Sequence, residues 1–288
     1  MNILYCGDKK MEKGLVLSVL SLSGHVKEPL HIYIMTMSLW ANGRSYAPVS
    51  ERTALFLEGN LREKNSESSV CLLDVSTDFQ KRPPTANMNS RFTPYCMLRL
   101  YADLIPELPN RILYLDEDVL CRRDCSAFYY QAMEGREIAG VLDYYGKWFF
   151  RENPLHFDYL NSGVLLLNMK EIRRTRLFRR CRGLCQANRM FMPDQSALNR
   201  LAGSKKICNS KYNEQRKLHK DTVFQHFTTS FRFFPFFHMV TVKPWQIERM
   251  HEELRLTEYD DLLEEYQTFM AKMKGEKVTN IKRETTSI

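Results

Sequence analysis

The chain has 288 residues, 44% hydrophobic and 26% charged, an ordinary globular composition with room for one or two cores. Its formal net charge of +8 suits nucleic acid, an anionic membrane surface or a phosphorylated ligand. The Lys and Arg residues are scattered, with short clusters at Arg173-Arg174, Arg179-Arg180 and Lys205-Lys206, and no basic stripe with interleaved aromatics supports a nucleic-acid partner.

The first half alternates strand and helix. Residues 2–7, 31–37, 70–75 and 112–115 read as strands, and 11–23, 50–64 and 93–104 as helices, with Ser50 a cap. This order predicts an α/β fold with a mainly parallel, Rossmann-like sheet flanked by helices on both faces. Such sheets bind ligands beyond the carboxyl ends of their strands. The second half is more mixed. Strands are expected at 138–143, 163–168 and 223–227, a basic helix at 170–189 and a short helix at 194–202. A long amphipathic helix follows at 246–273, with Leu254, Leu262, Leu263, Tyr266 and Phe269 toward the core. The tail at 274–288 is polar and expected to be disordered. The expected organisation is a catalytic unit over 1–245, the helix at 246–273 as an extension, and the tail.

No apolar run reaches about 18 residues, so no membrane span is expected. No charged and apolar leader opens the chain, which predicts a cytoplasmic protein. Its eight cysteines are then expected to be reduced thiols. Two Cys pairs, Cys121/Cys125 and Cys181/Cys185, have a gap that structural zinc seldom uses.

The most informative stretch is Arg111-Ile-Leu-Tyr-Leu-Asp-Glu-Asp-Val119. An apolar strand ends in Asp116 and Asp118, spaced so that both fall on one face. Two like charges there repel and resist desolvation. A divalent cation would relieve that cost, and hard oxygen ligands suit Mg²⁺ or Mn²⁺ bridging substrate phosphates. The same letters also fit an acidic turn.

Further polar groups punctuate the chain. Asp8 follows the first strand, where it fits a helix cap as well as a ligand. Asn161-Ser162-Gly163 reads as a turn before a buried strand, Asp194-Gln195 opens a helix, and His226 sits in an apolar strand. Lys243 precedes Pro244-Trp245 on a rigid turn. Each has an ordinary structural reading, but their order is specific. The set resembles the retaining glycosyltransferases of family 8, the GT-A group that includes glycogenin-like and bacterial lipopolysaccharide enzymes. The resemblance runs from about Asn2 to Trp245.

The resemblance implies roles. Asp116 and Asp118 would hold Mn²⁺ (or Mg²⁺) against the diphosphate of a UDP-sugar, with a histidine completing the site. The backbone of Tyr5, Cys6 and Gly7, together with Asp8, would meet uracil and ribose. Arg99, which lies 17 residues before Asp116, would sit near the sugar and diphosphate with Glu117. Asn161, Asp194 and Gln195 would line the donor sugar, with Asp194 and Gln195 the catalytic candidates under the anomeric carbon. Lys243 would neutralise phosphate charge as UDP leaves. The sequence also departs from the family pattern. The family's metal histidine falls six residues before the lysine of Lys-Pro-Trp, and Phe237 stands there. His226 is favoured for its strand context, with His238 the alternative. Met11 stands where an aromatic usually underlies uracil.

The expected reaction moves a hexose, glucose or galactose, from a UDP-sugar to a hydroxyl of a glycan, glycolipid or glycoprotein, in bacterial cell-surface glycan synthesis. The family implies front-face attack with retention. Two rivals are a non-catalytic sugar-nucleotide-binding protein and a Mg²⁺-dependent phosphohydrolase. The latter usually carries its Asp-x-Asp on the first strand. Residues 143–156, including Trp148, Phe149 and Phe150, together with the aromatic insertion at 231–237, are expected on the acceptor side. The basic C-terminal half suggests peripheral contact with the inner face of the membrane, although the acidic pairs after Trp245 argue against that helix as the anchor.

Overall fold

The computed structural model describes residues 1–41, 43–90, 93–146, 158–232, 236 and 238–275. Residues 147–157, with the expected acceptor-side Trp148, Phe149 and Phe150, and most of the tail lie outside that set.

The strands, in chain order, are β1 (Asn2–Cys6), β2 (His31–Thr36), β3 (Leu39–Ala41), β4 (Arg44–Tyr46), β5 (Ser69–Asp74), β6 (Arg111–Leu115) and β7 (Val119–Cys121). They continue with β8 (Ile138–Leu142), β9 (Leu160–Asn168), β10 (Lys205–Ile207), β11 (Phe224–His226), β12 (Ser230–Arg232) and β13 (His238–Val240). The central sheet has the order β10-β8-β9-β6-β1-β2-β5. Every neighbouring pair is parallel except those made by β9, which runs antiparallel to both β6 and β8. The mainly parallel sheet is therefore as predicted. The innermost strands are buried on both faces, which is why β1, β6 and β9 read as near-continuous apolar runs.

Two apolar clusters cover the sheet. One packs the helix Glu12–His25 and the C-terminal helix Asp260–Lys274, through Leu263, Tyr266 and Phe269, with Ile3 and Tyr5. The other packs Pro94–Leu104 and Leu177–Ala187 with Leu4 and Tyr114. The two Cys pairs fall in different clusters, Cys121 and Cys125 in the first, Cys181 and Cys185 in the second, and all eight cysteines are free thiols. The helix Glu12–His25 is buried along most of its length, and its serines satisfy polar groups there. Ser18 Oγ lies 2.8 Å from Tyr5 Oη, and Ser21 Oγ accepts the Cys121 N–H at 2.9 Å.

Four predicted elements differ. Residues 94–104 form a 3₁₀ rather than an α-helix, stacking Arg99 one turn above Cys96, whose carbonyl accepts from Arg99 Nε at 3.2 Å. The basic helix splits at Arg176, whose φ of 58° is left-handed, into Met169–Thr175 and Leu177–Ala187. The helix expected at 246–273 is Ile247–Arg249, a π turn over Met250–Leu254, a left-handed Arg255 (φ 55°) and only then Asp260–Lys274. The break lets Met250 and Tyr259 both reach the core. The Asn161-Ser162-Gly163 triplet is not a turn but part of β9, because its polar groups find partners inside the fold. Among the described residues, no helix is long and apolar enough to cross a membrane.

Candidate active site

Parallel strands deliver their carboxyl ends to one edge, where β1 leads into Asp8, β6 into Asp116 and β8 into Asp143. Because β9 is antiparallel, it enters the sheet at that same edge, bringing Asn161 and Gly163 beside Asp116, whose N–H donates to Gly163 O at 2.9 Å. The short β7 continues beyond Asp118 and pairs antiparallel with β11, His226 opposite Val119. That register brings the imidazole to the carboxylates.

Ligand atoms of Asp116, Asp118 and His226 lie within 4.8 Å of one another. His226 Nε2 is 3.2 Å from Asp118 Oδ1 and 3.9 Å from Asp116 Oδ2. Gly163 makes this possible: a Cβ there would stand 2.1 Å from His226 Cε1, so the ring occupies the space a side chain would fill. His238 is exposed on β13, its Nδ1 2.8 Å from Phe236 O, and takes no part in the cluster. Of the two predicted histidines, the fold brings in His226. Two carboxylates and an imidazole suit Mn²⁺, and their convergence on one point fits an ion of that kind.

Around this cluster the charges are paired. Arg99 is buried and, besides the Cys96 carbonyl, reaches three groups of the site. Its Nη2 is 2.9 Å from Asp116 Oδ1, its Nε 3.2 Å from Asp194 Oδ2, and its Nη1 donates to Ser162 O at 2.5 Å. Tyr114 lies under the guanidinium at 3.9 Å and donates its hydroxyl to Asp116 Oδ1 at 2.6 Å. Lys243 Nζ pairs with Asp118 Oδ2 and donates to Phe227 O at 3.2 Å.

These pairings move the titrations. Burial alone would raise Asp118, but Lys243 and then His226 outweigh it and hold the carboxyl below the usual range. Burial would lower His226 and Lys243, and Asp118 reverses both, leaving each cation favoured. At Glu117 the influence of Lys243 is outweighed. Burial, then Asp118 and Asp116, push its carboxyl up to about 7. Asp194 is raised by burial despite Arg99.

The predicted sugar-facing residues form one buried network. Asp143 Oδ2 accepts from Asn161 Nδ2 at 2.9 Å and Gln195 Nε2 at 3.1 Å, and Gln195 Oε1 accepts the Ser162 N–H at 2.9 Å. The nucleoside end is tighter. Tyr5's side chain is in the core, and Gly7 is packed against Met11, whose Sδ would stand 2.1 Å from a Cβ at position 7. Cys6 is buried, and Asp8 caps the turn Lys9–Met11 by accepting the Lys10 N–H at 3.0 Å, with burial raising its carboxyl. The Gly7 backbone is held inside the fold, its N–H donating to Met35 O at 3.1 Å and its carbonyl accepting from Thr36 Oγ1 at 2.8 Å. Sequence reasoning placed Asp143 on the acceptor side rather than against Asn161 and Gln195, and did not single out Gly163 or Asn213 as site residues. Asp143 was findable by the rule that found Asp116, since it ends a parallel strand. Nothing local marked Asn213.

A profile of glycosyl transferase family 8 matches residues 2–248. The chain belongs to glycosyl transferase family 8. It is thus a glycosyltransferase, of a family whose members retain anomeric configuration. Solved structures share the GT-A fold of this family 8 chain. An active-site Gln-to-Glu mutant of LgtC is 19% identical, with 94% of this chain and 96% of that chain covered and a TM-score of 0.65. The galactosyltransferase LgtC in complex with donor and acceptor sugar analogs is 18% identical, with 97% of each chain covered and a TM-score of 0.60. The bifunctional glycosyltransferase WbbM is 15% identical over 95% of this chain and 50% of its own, with a TM-score of 0.66. No curated protein sequence matches.

Proposed function

We propose that this glycosyltransferase moves a hexose, glucose or galactose, from a UDP-sugar to a hydroxyl acceptor on a glycan, glycolipid or glycoprotein, with retention. The observation that carries the reading is the convergence of Asp116, Asp118 and His226 at the carboxyl edge of a family 8 sheet, beside Lys243. These three residues would hold Mn²⁺, or Mg²⁺ in its place. Once bound, the ion supplies Lewis-acid stabilisation of the departing diphosphate.

The protein's own groups do the rest. Lys243 brings a second positive charge to the leaving group, where a preorganised cation stabilises charge that develops in the transition state. Arg99 fixes Asp116 and Asp194 in place. Glu117 would lie near the nucleotide-sugar, its carboxyl raised in the metal-free protein by burial and by Asp118 and Asp116. The backbone of Tyr5, Cys6 and Gly7, with Asp8, takes the nucleoside. Asn161, Asp194 and Gln195 line the sugar. Arg99 anchors one oxygen of Asp194, and Gln195 is hydrogen-bonded at both ends of its amide, so Gln195 is not poised as a free nucleophile. This favours front-face attack, in which the leaving phosphate oxygen accepts the proton of the incoming hydroxyl.

The catalytic unit is residues 1–245, with 246–273 packed on it. The setting we favour is cytoplasmic, at the inner face of the membrane, in cell-surface glycan synthesis. Trp40, Phe236 and Met239 are exposed, and with the positive net charge they support contact with an anionic bilayer. The test is UDP release from UDP-glucose, UDP-galactose and other UDP-sugars, with Mn²⁺ and with chelator. Release from one hexose donor only with metal is expected. Metal-independent release, or no rise in melting temperature with UDP and Mn²⁺, would overturn the reading.

A further inference from the structure

Asn213 lies outside every motif that points to the reaction, yet its side chain is almost fully buried (1% exposed) and joins the two halves of the site. Its Nδ2 donates to Asn161 Oδ1 at 2.9 Å, and its Oδ1 is 3.2 Å from His226 Nδ1. The backbone there is held on both sides. The turn Ser210–Tyr212 ends at Asn213, and Glu214 bridges to Gln225, with its N–H on Phe224 O at 2.8 Å.

The direction of each amide is dictated by a group that cannot reverse. The Gly163 N–H can only donate, and it donates to Asn161 Oδ1 at 3.0 Å. Asn161 therefore turns its Nδ2 toward the Asp143 carboxylate, which accepts it at 2.9 Å and whose other oxygen accepts the Tyr145 N–H at 3.0 Å and the Gly146 N–H at 2.5 Å. With Asn161 offering an acceptor, Asn213 must offer Nδ2, and so its oxygen faces the imidazole. An oxygen there requires a proton on His226 Nδ1. The lone pair of the neutral ring is then on Nε2, the nitrogen that faces Asp118 and Asp116.

We infer that Asn213 is a positioning residue that fixes the tautomer and tilt of His226 and makes metal affinity depend on Asn161, in the donor-sugar pocket. The inference rests on His226 being a metal ligand. Ligating histidines whose second nitrogen is held in this way typically lose roughly 10–100-fold in metal affinity when the holding group is removed.

The test reads Mn²⁺ affinity directly, by electron paramagnetic resonance of free Mn²⁺, in wild type, Asn213→Ala, Asn213→Asp, Asn161→Ala and His226→Ala. Asn213→Ala should weaken binding roughly 10–100-fold. Asn213→Asp keeps an acceptor for Nδ1–H and should stay close to wild type, although it loses the bond to Asn161. Asn161→Ala never touches the ring, yet it frees the Asn213 amide to turn and should also weaken Mn²⁺ binding. Equal losses in Asn213→Ala and Asn213→Asp would mark a merely structural role and overturn the inference. Weak binding in His226→Ala with wild-type affinity in Asn213→Ala would overturn it while leaving the metal reading intact. Wild-type affinity in both variants would overturn the two together. A measurement on the unmutated protein guards against misfolded variants. With Zn²⁺ bound, ¹⁵N chemical shifts of His226 should show a protonated Nδ1 and a ligated Nε2, and the opposite assignment refutes the inference.

Discussion

Gly163→Ala is the sharpest test of the site, because it adds one methyl and removes no functional group. The new Cβ would lie 2.1 Å from His226 Cε1, 2.6 Å from Nδ1 and 2.8 Å from Nε2. Carbon atoms pack at about 3.5 Å, so the ring must retreat by roughly 1.4 Å. The strand cannot yield instead, since Gly163 O accepts the Asp116 N–H and Val164 pairs with Leu115. Nor can the ring retreat easily, since Asn213 stands against Nδ1. Overpacking of this kind costs about 1–3 kcal/mol, which a chain of this size tolerates. A displacement of about 1 Å at a reacting site can cost on the order of 100-fold in rate. The expected variant therefore folds, with a lowered melting temperature, and loses at least tenfold in both Mn²⁺ affinity, by calorimetry, and metal-dependent UDP release. Wild-type affinity and turnover in a folded Gly163→Ala would refute the placement of His226 over Gly163.

Asp118→Asn strands two cations at once, Lys243 and His226. Breaking a buried pair from one side costs about 3–5 kcal/mol, so the metal-free variant should melt well below wild type and lose metal-dependent turnover, and an unchanged melting temperature would contradict the pairing. Lys243→Ala should separate binding from chemistry. Mn²⁺ alone should bind more tightly once Lys243 no longer competes for Asp118, while turnover falls on the order of 100-fold, and tighter binding with full turnover would remove Lys243 from the reaction. The pH response follows from His226. Burial lowers its pKa, but Asp118 and Asp116 raise it above the usual value. This attraction stabilises the metal-free fold below the unfolded imidazole's pKa and is lost as pH rises through the raised value. Metal needs the neutral ring, so Mn²⁺ affinity should fall about tenfold for each pH unit below that value, with proton release visible by calorimetry in buffers of different ionisation enthalpy. A flat response would exclude His226 as a ligand. Vesicles containing phosphatidylglycerol should co-sediment the protein more than neutral vesicles do, and Trp40→Ser with Phe236→Ser should abolish the difference. Equal sedimentation would remove the membrane contact.

Local pattern was enough for the frame. The apolar runs of β1 and β6 are long and bounded, and a strand that ends in Asp116 advertises its own carboxyl edge. Breaks inside helices were not legible because the residues that turn the chain, Arg176 and Arg255, are neither Gly nor Pro. Both take the left-handed region because tertiary packing on each side demands it, and on the sequence alone the amphipathic pattern simply continues. Asn161-Ser162-Gly163 misled in the same way. A polar triplet reads as a turn when its partners are unknown, and here those partners are Asp143, Gln195 and Asn213. His226 and His238 could not be separated by counting back from Lys243, since the insertion at 231–237 shifts the count. Antiparallel pairing of β11 with β7 brings His226 to the carboxylates, and that pairing is a long-range event without a local signal.

The arrangement of charge explains how the fold can carry its carboxylates before any ligand arrives. Asp116, Asp118 and Asp194 lie together at the sheet edge, where repulsion and desolvation would oppose folding. Arg99 answers two of them and Lys243 with His226 answers the third. The pairs on Asp116 and Asp194 share one guanidinium, which also holds the Ser162 carbonyl. The pair on Asp118 is different. It uses Lys243 and His226, which on the proposed function would meet a phosphate and a metal. A cation arriving alone must displace Lys243 from Asp118 and leave that ammonium half-buried without its partner. A diphosphate arriving alone draws Lys243 away and exposes Asp118. If both arrived, the cation would take Asp118 and the diphosphate Lys243, so that neither of these charges would be left unmatched. On the proposed function, metal and nucleotide would therefore favour each other's binding through this single exchange of partners.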